Sequence, residues 1–149
     1  DLSRGSLLEQ GIEVVLDCQL SDEIADGHPL QIEKPLIALL NNAREALLEG
    51  APNQPKITIV ATSDSADIAK IVVSDNGCGV VEEFRDRIFE PFFSTRTAGI
   101  NVGLGLSVAQ AVISELGGRL TLDSDNGWTV ATMVVPLRSL TNAPVKKTT

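Results

Sequence analysis

Apolar and polar positions along the chain change period several times, and each change marks an element. Residues 11–20, GIEVVLDCQL, alternate well enough to predict a strand. The polar run SDEIADGHP follows as a loop. Over residues 35–49, PLIALLNNAREALLE, the period becomes helical, because Leu36, Leu39, Leu40, Ala43, Ala46 and Leu47 recur on one face. Pro35 suits the first turn of such a helix and Gly50 its close. APNQP is a loop of turn formers. Residues 56–63, KITIVATS, and 68–75, IAKIVVSD, return to strand patterning and form a hairpin across DSAD.

Beyond residue 80 the pattern is less regular. EEFRDRIF reads as a short helical turn, and EPFFSTRTAGINVG as an ordered entry into a mobile loop. Helical spacing resumes over residues 104–116, LGLSVAQAVISEL, and Gly117 and Gly118 end it. RLTLDSD and TVATMVVPL are strands around a turn at Asn126-Gly127. The tail from residue 141 to residue 149 reads as frayed, which leaves one domain over residues 1–140. No fixed-period repeat is present. Strands and helices are interspersed and some strands form hairpins, so the expected fold is a mixed sheet with helices on one face.

Composition narrows the function classes. At 149 residues, 43% hydrophobic and 21% charged, the chain is an ordinary globular domain. A net charge of −8 and a lack of aromatic platforms, with one Trp, four Phe and no Tyr, argue against nucleic-acid binding. An acidic protein that binds a nucleotide needs local cations or a metal ion. Cys18 and Cys78 lack metal-ligand spacing and point to a reducing compartment. No apolar run is long enough to span a bilayer, so direct membrane contact is not expected.

Four constellations carry candidate chemistry. Asn42 interrupts an apolar helix. It suits a surface position beside Arg44, Glu45 and Glu49, or a polar stripe of Asn42, Glu45 and Glu49 facing a cleft, where its amide oxygen is a hard ligand fit for Mg²⁺. In VVSDNGCGV a strand stops on Asp75 and turns at once into Gly77, Cys78 and Gly79. That is either a tight turn or a site where bare backbone meets a flat ring and the carboxylate accepts from an amine. Gly103-Leu104-Gly105-Leu106 opens a helix, as a hinge or as an anion-binding N-terminus. In IFEPFFSTR, Phe89, Phe92 and Phe93 form an apolar anchor for a lid, and Arg96 beyond them suits a phosphate.

Taken in order, LLNNAREA, DNGCG, FEPFFSTR and GLGL resemble the N, G1, F and G2 boxes of bacterial sensor histidine kinases. More broadly they resemble the ATP-binding superfamily that includes gyrase B subunits and mismatch-repair ATPases. GGRLTLDSDNGWTVATMVVPL is similar to that family's closing hairpin. The resemblance implies a Bergerat-type two-layer α/β sandwich, with a mixed sheet of about five strands and three helices on one face. It implies ATP and Mg²⁺ as cofactors. Asp75 takes adenine N6, Gly77 and Gly79 line the base, Asn42 holds Mg²⁺ and phosphate oxygens, and Gly103 and Gly105 meet the phosphates. Glu45, Phe89, Thr95, Leu104 and Leu106 complete the implied nucleotide site, and Arg96 stands where the family often carries Lys. The implied reaction passes the ATP γ-phosphoryl to a histidine on a separate dimerisation domain, which then serves a response regulator. The implied location is cytoplasmic, in a parent protein open to membrane anchoring.

Two departures bear on activity. Where this branch usually carries Asn one turn before Asn42, the chain has Ala38. Asn41 points about 100° away on a helix and does not substitute. The loop reads Asn101-Val102-Gly103 where Gly-Thr-Gly is common. His28, the sole histidine, lacks a phosphoacceptor context, so the phosphorylated helices are expected outside this chain. A nucleotide-binding pseudokinase, an anti-sigma-type serine kinase and a stand-alone ATPase are the competing readings, and the missing Glu at position 38 argues against the last.

Overall fold

The computed structural model describes residues 4–19, 30–63, 67–78, 105–125 and 127–136. In chain order they form α1 (Arg4–Glu9), β1 (Glu13–Cys18), α2 (Leu30–Gly50), β2 (Lys56–Ser63), β3 (Ile68–Asp75), α3 (Gly105–Glu115), β4 (Arg119–Asp125) and β5 (Trp128–Pro136). The strands make one mixed five-stranded sheet in the order β1-β2-β3-β5-β4. β1 and β2 run parallel, and every other pair is antiparallel. A parallel pair cannot be closed by a hairpin, and the crossover from β1 to β2 contains α2.

Register explains why one face is the core. Ile57, Ile59 and Ala61 of β2 stand opposite Asp75, Val73 and Ile71 of β3. Ala69, Ile71 and Val73 in turn stand opposite Val135, Met133 and Ala131 of β5, and Leu120 and Leu122 of β4 meet Met133 and Ala131. With a side-chain period of two, these residues share a face. They join Leu39, Ala43 and Leu47 of α2 and Ala109 and Ile113 of α3 in a single apolar cluster. The opposite face, with Thr58, Val60, Val72, Thr132 and Val134, is half-exposed. This is the mixed sheet with helices on one face expected from the pattern, and the two-layer sandwich that the family resemblance implies.

Predicted and observed elements differ at three places. Leu7 of α1, which the periodicity did not announce, is buried in the same core; six residues are too few for a readable period. α2 starts at Leu30 rather than Pro35, so Pro35 lies inside the helix. It is fully buried there, and packing holds a residue that lacks the N–H for its intrahelical bond. Gly50 does not supply the left-handed cap. That conformation falls on Ala51, at φ 45, whereas α3 is closed in the usual way by Gly117 at φ 87.

Candidate functional site

β3 delivers Asp75 to the end of the sheet, on the face that packs under the helices. There it is 2% exposed, and Thr129 of β5, its partner in register, is 3% exposed. Side chains directly opposite in an antiparallel pair lie about 4.5–5.5 Å apart at Cβ. These two are the buried polar residues among those described. The Gly77 N–H donates to Asp75 Oδ1 at 2.9 Å, a local turn that orients the carboxylate. The Thr129 hydroxyl has no hydrogen-bond partner among the described residues. Burying a hydroxyl in that state costs about 1–3 kcal/mol. That cost falls beside a buried carboxylate.

The turn after Asp75 is held on both sides. Asn76 accepts from the Lys56 N–H through Oδ1 at 2.9 Å and donates through Nδ2 to the Gln54 carbonyl at 2.9 Å. Its side chain thus extends the β2–β3 pairing past the end of the ladder. On the other side, the Cys78 N–H donates to the Ala46 carbonyl of α2 at 3.0 Å, and Cys78 Sγ donates to Glu49 Oε1 at 3.2 Å. A Cβ on Gly77 would lie 2.4 Å from the Ala46 carbonyl carbon, so only glycine fits. The glycine turn therefore rests against the helix that carries Asn42.

Asn42 is half-buried on α2, as is Glu45 one turn on, while Glu49 is exposed beside Cys78. The polar stripe thus runs down the helix toward the glycine turn. Ala38, one turn upstream, packs against the core. Asn41 is exposed and accepts from Arg44 Nη2 at 3.2 Å, directed away from the stripe. Gly105 is the first residue of α3, and Leu106 packs on the core. Gly79, Phe89, Thr95, Arg96, Gly103 and Leu104, with the Phe cluster, the lid and His28, lie outside the described residues.

Among the described residues no three His, Cys, Asp or Glu side chains cluster to hold a metal. Asn42, half-buried on α2, offers one amide oxygen, and an ion that arrives with a nucleotide takes only one or two protein oxygens beside phosphate. Thr129, the buried polar partner of Asp75, is a residue that the sequence reading did not single out. Its signal was parity, because Ala131, Met133 and Val135 point inward at every second position and Thr129 continues that series with a hydroxyl.

Comparison with known proteins bears on this arrangement. Residues 27–139 match the family described as histidine kinase-, DNA gyrase B-, and HSP90-like ATPase. The two-component sensor PprA of Pseudomonas aeruginosa is 34% identical over 134 residues, covering 88% of this chain and 14% of that protein. The sensory histidine kinase/phosphatase NtrB of Vibrio alginolyticus is 33% identical over 135 residues, covering 85% of this chain and 37% of NtrB. The chain thus spans well under half the length of either relative. The nucleotide-free catalytic domain of the histidine kinase ThkA superposes with a TM-score of 0.73 at 26% identity, over 91% of this chain and 87% of that one.

Proposed function

The chain belongs to the histidine kinase-, DNA gyrase B- and HSP90-like ATPase family, and on that premise we propose that it is the ATP-binding catalytic domain of a two-component sensor histidine kinase. The buried Asp75–Thr129 pair carries this reading. A carboxylate that only accepts and a hydroxyl that both accepts and donates match the edge of adenine, whose exocyclic amine donates and whose ring nitrogens accept. Gly77 seats the turn of Asp75 against α2, and the bare backbone of that turn is proposed to line the flat ring. Asn42 on α2 supplies the amide oxygen for Mg²⁺ and phosphate, and Gly105 lies at the helix start that favours the phosphates. Arg96, Thr95, Phe89, Gly79, Gly103 and Leu104 are proposed as the lid side of the same site.

The chemistry follows from that assignment. The nucleophile is an imidazole on a separate phosphoacceptor domain. Its nitrogen attacks the γ-phosphorus, the bond from that phosphorus to the β–γ bridging oxygen breaks, and ADP leaves. Bound Mg²⁺ supplies charge neutralisation at the phosphates. The chain's own residues contribute position: Asp75 fixes the base and Asn42 fixes the phosphate end. A response regulator is the proposed acceptor downstream of that histidine. The cytoplasm, where ATP is present, is the proposed location, and no helix among the described residues is long and apolar enough to cross a membrane.

The test is phosphotransfer in trans. The chain, a phosphoacceptor domain and ATP labelled at the γ-phosphate are expected to yield acid-labile phosphate on histidine. One observation favours a second reading. Ala38 sets a methyl group against the core where an amide is usual. A nucleotide-binding module without phosphotransfer therefore follows if Mg-ATP binds and no phosphohistidine forms. Acid-stable label that alkali removes assigns a serine kinase instead.

A further inference from the structure

Gly50 is helical, so its position demands the absence of a side chain rather than backbone freedom. A Cβ there would lie 2.6 Å from the Cys78 amide nitrogen, 2.8 Å from the Gly77 carbonyl carbon and 3.0 Å from the Cys78 Cα. All three are backbone atoms, which cannot turn aside as a flexible side chain does. From the opposite side, a Cβ on Gly77 would lie 2.4 Å from the Ala46 carbonyl carbon and 2.7 Å from the Leu47 nitrogen. The hydrogen bond from Cys78 to Ala46 closes the same contact. The last turn of α2 and the 77–78 peptide thus meet backbone to backbone.

We infer that Gly50 is a positioning residue, one that locks the turn of Asp75 to the helix of Asn42 and so fixes the spacing between the two ends of a bound nucleotide. The linkage is continuous. Asp75 is tied to the Gly77 N–H, the 77–78 peptide to the end of α2, and Asn42 lies on that helix about 12 Å from Gly50 at 1.5 Å per residue. A methyl group at position 50 forces the turn and the helix apart. A ligand that touches only one end follows the shift, whereas a ligand that spans both loses contact at one of them. The functional half of this inference rests on the ATP-site reading above.

The test is Gly50→Ala in the whole chain, read by amide hydrogen exchange and by titration with Mg-ADP and with adenosine. The Cys78 amide is expected to exchange at least about tenfold faster, while the Val73 and Met133 amides in mid-sheet keep their rates. Mg-ADP affinity is expected to fall about tenfold and adenosine affinity less than about threefold, against a tenfold step of about 1.4 kcal/mol. Unchanged Mg-ADP affinity, or equal losses for both ligands, overturns the positioning role. If Gly50→Ala does not fold, native-state exchange on the unaltered chain decides. The Cys78 and Ala51 amides then share one opening free energy and one denaturant dependence, and separate openings sink the inference. An unaltered chain that binds no Mg-ADP overturns the ATP-site reading and the functional half with it, while exchange still reports on the joint itself.

Discussion

At the scale of single residues, three side chains carry opposite loads. Asp75 is buried and oriented by the Gly77 N–H. Replacing it by Asn keeps the shape and removes the charge, so Asp75→Asn is expected to weaken Mg-ADP binding by about 1.5–3 kcal/mol, the range for hydrogen bonds to charged groups. Isothermal titration measures this directly. Thr129 acts with the opposite sign on stability. Its hydroxyl is buried with no partner among the described residues, so Thr129→Val is expected to leave the nucleotide-free domain as stable or more stable in urea while lowering nucleotide affinity. A variant that loses stability and keeps affinity contradicts a ligand-facing hydroxyl. Ala51 adopts a left-handed conformation that disfavours any Cβ. Ala51→Gly is expected to raise stability by about 1 kcal/mol, seen as a higher urea midpoint at unchanged slope. Glycine stands one residue earlier because contact with the 77–78 peptide claims it.

At the scale of elements, each helix is graded by the face it presents. On α3, Ile113 is completely buried, whereas Val108 is 49% exposed. Ile113→Ala is expected to cost about 2–5 kcal/mol and Val108→Ala within about 0.5 kcal/mol. Urea denaturation of the two variants checks the contrast, and similar losses would mean that α3 does not pack as described. α2 shows what the pattern reveals and what it hides. The apolar positions Leu39, Ala43, Ala46 and Leu47 are all buried as their spacing requires. Its first turns are another matter. Proline is ordinarily read as a helix start, and that rule placed the start at Pro35, yet the helix begins at Leu30. The reason is tertiary, because burial of the Pro35 ring outweighs a local preference worth about 3 kcal/mol.

At the scale of the whole molecule, the proposed function makes the domain a holder of nucleotide for a histidine supplied by another domain. α2 carries no carboxylate at position 38, where a water-activating group stands in gyrase-like relatives. The isolated chain in Mg-ATP is therefore expected to release no steady inorganic phosphate, measured by a coupled phosphate assay. Label is expected to leave ATP only when a phosphoacceptor domain is added. In the sheet order β1-β2-β3-β5-β4, α2 and α3 share one face, and the Asp75–Thr129 pair lies where β3 ends and β5 begins. The fold is that of the histidine-kinase catalytic domain, as the likeness to ThkA shows.

Periodicity determined which residues of the longer strands and helices face inward, because the α and β backbones repeat every 3.6 and 2 residues wherever they occur. The β2–β3 hairpin, the β4–β5 pair and the apolar face of α2 were legible for that reason, and so was Asp75 at the close of a strand. Tertiary structure decided what stands beside Asp75. A strand that slips by two residues keeps the same inward face, so no local pattern announces that Thr129 rather than Ala131 pairs with that carboxylate. Nor does any local pattern separate a glycine that caps a helix from one that lets it touch another backbone. Gly50 has the sequence of the first and the surroundings of the second, and only the packing of α2 against the turn after β3 distinguishes them.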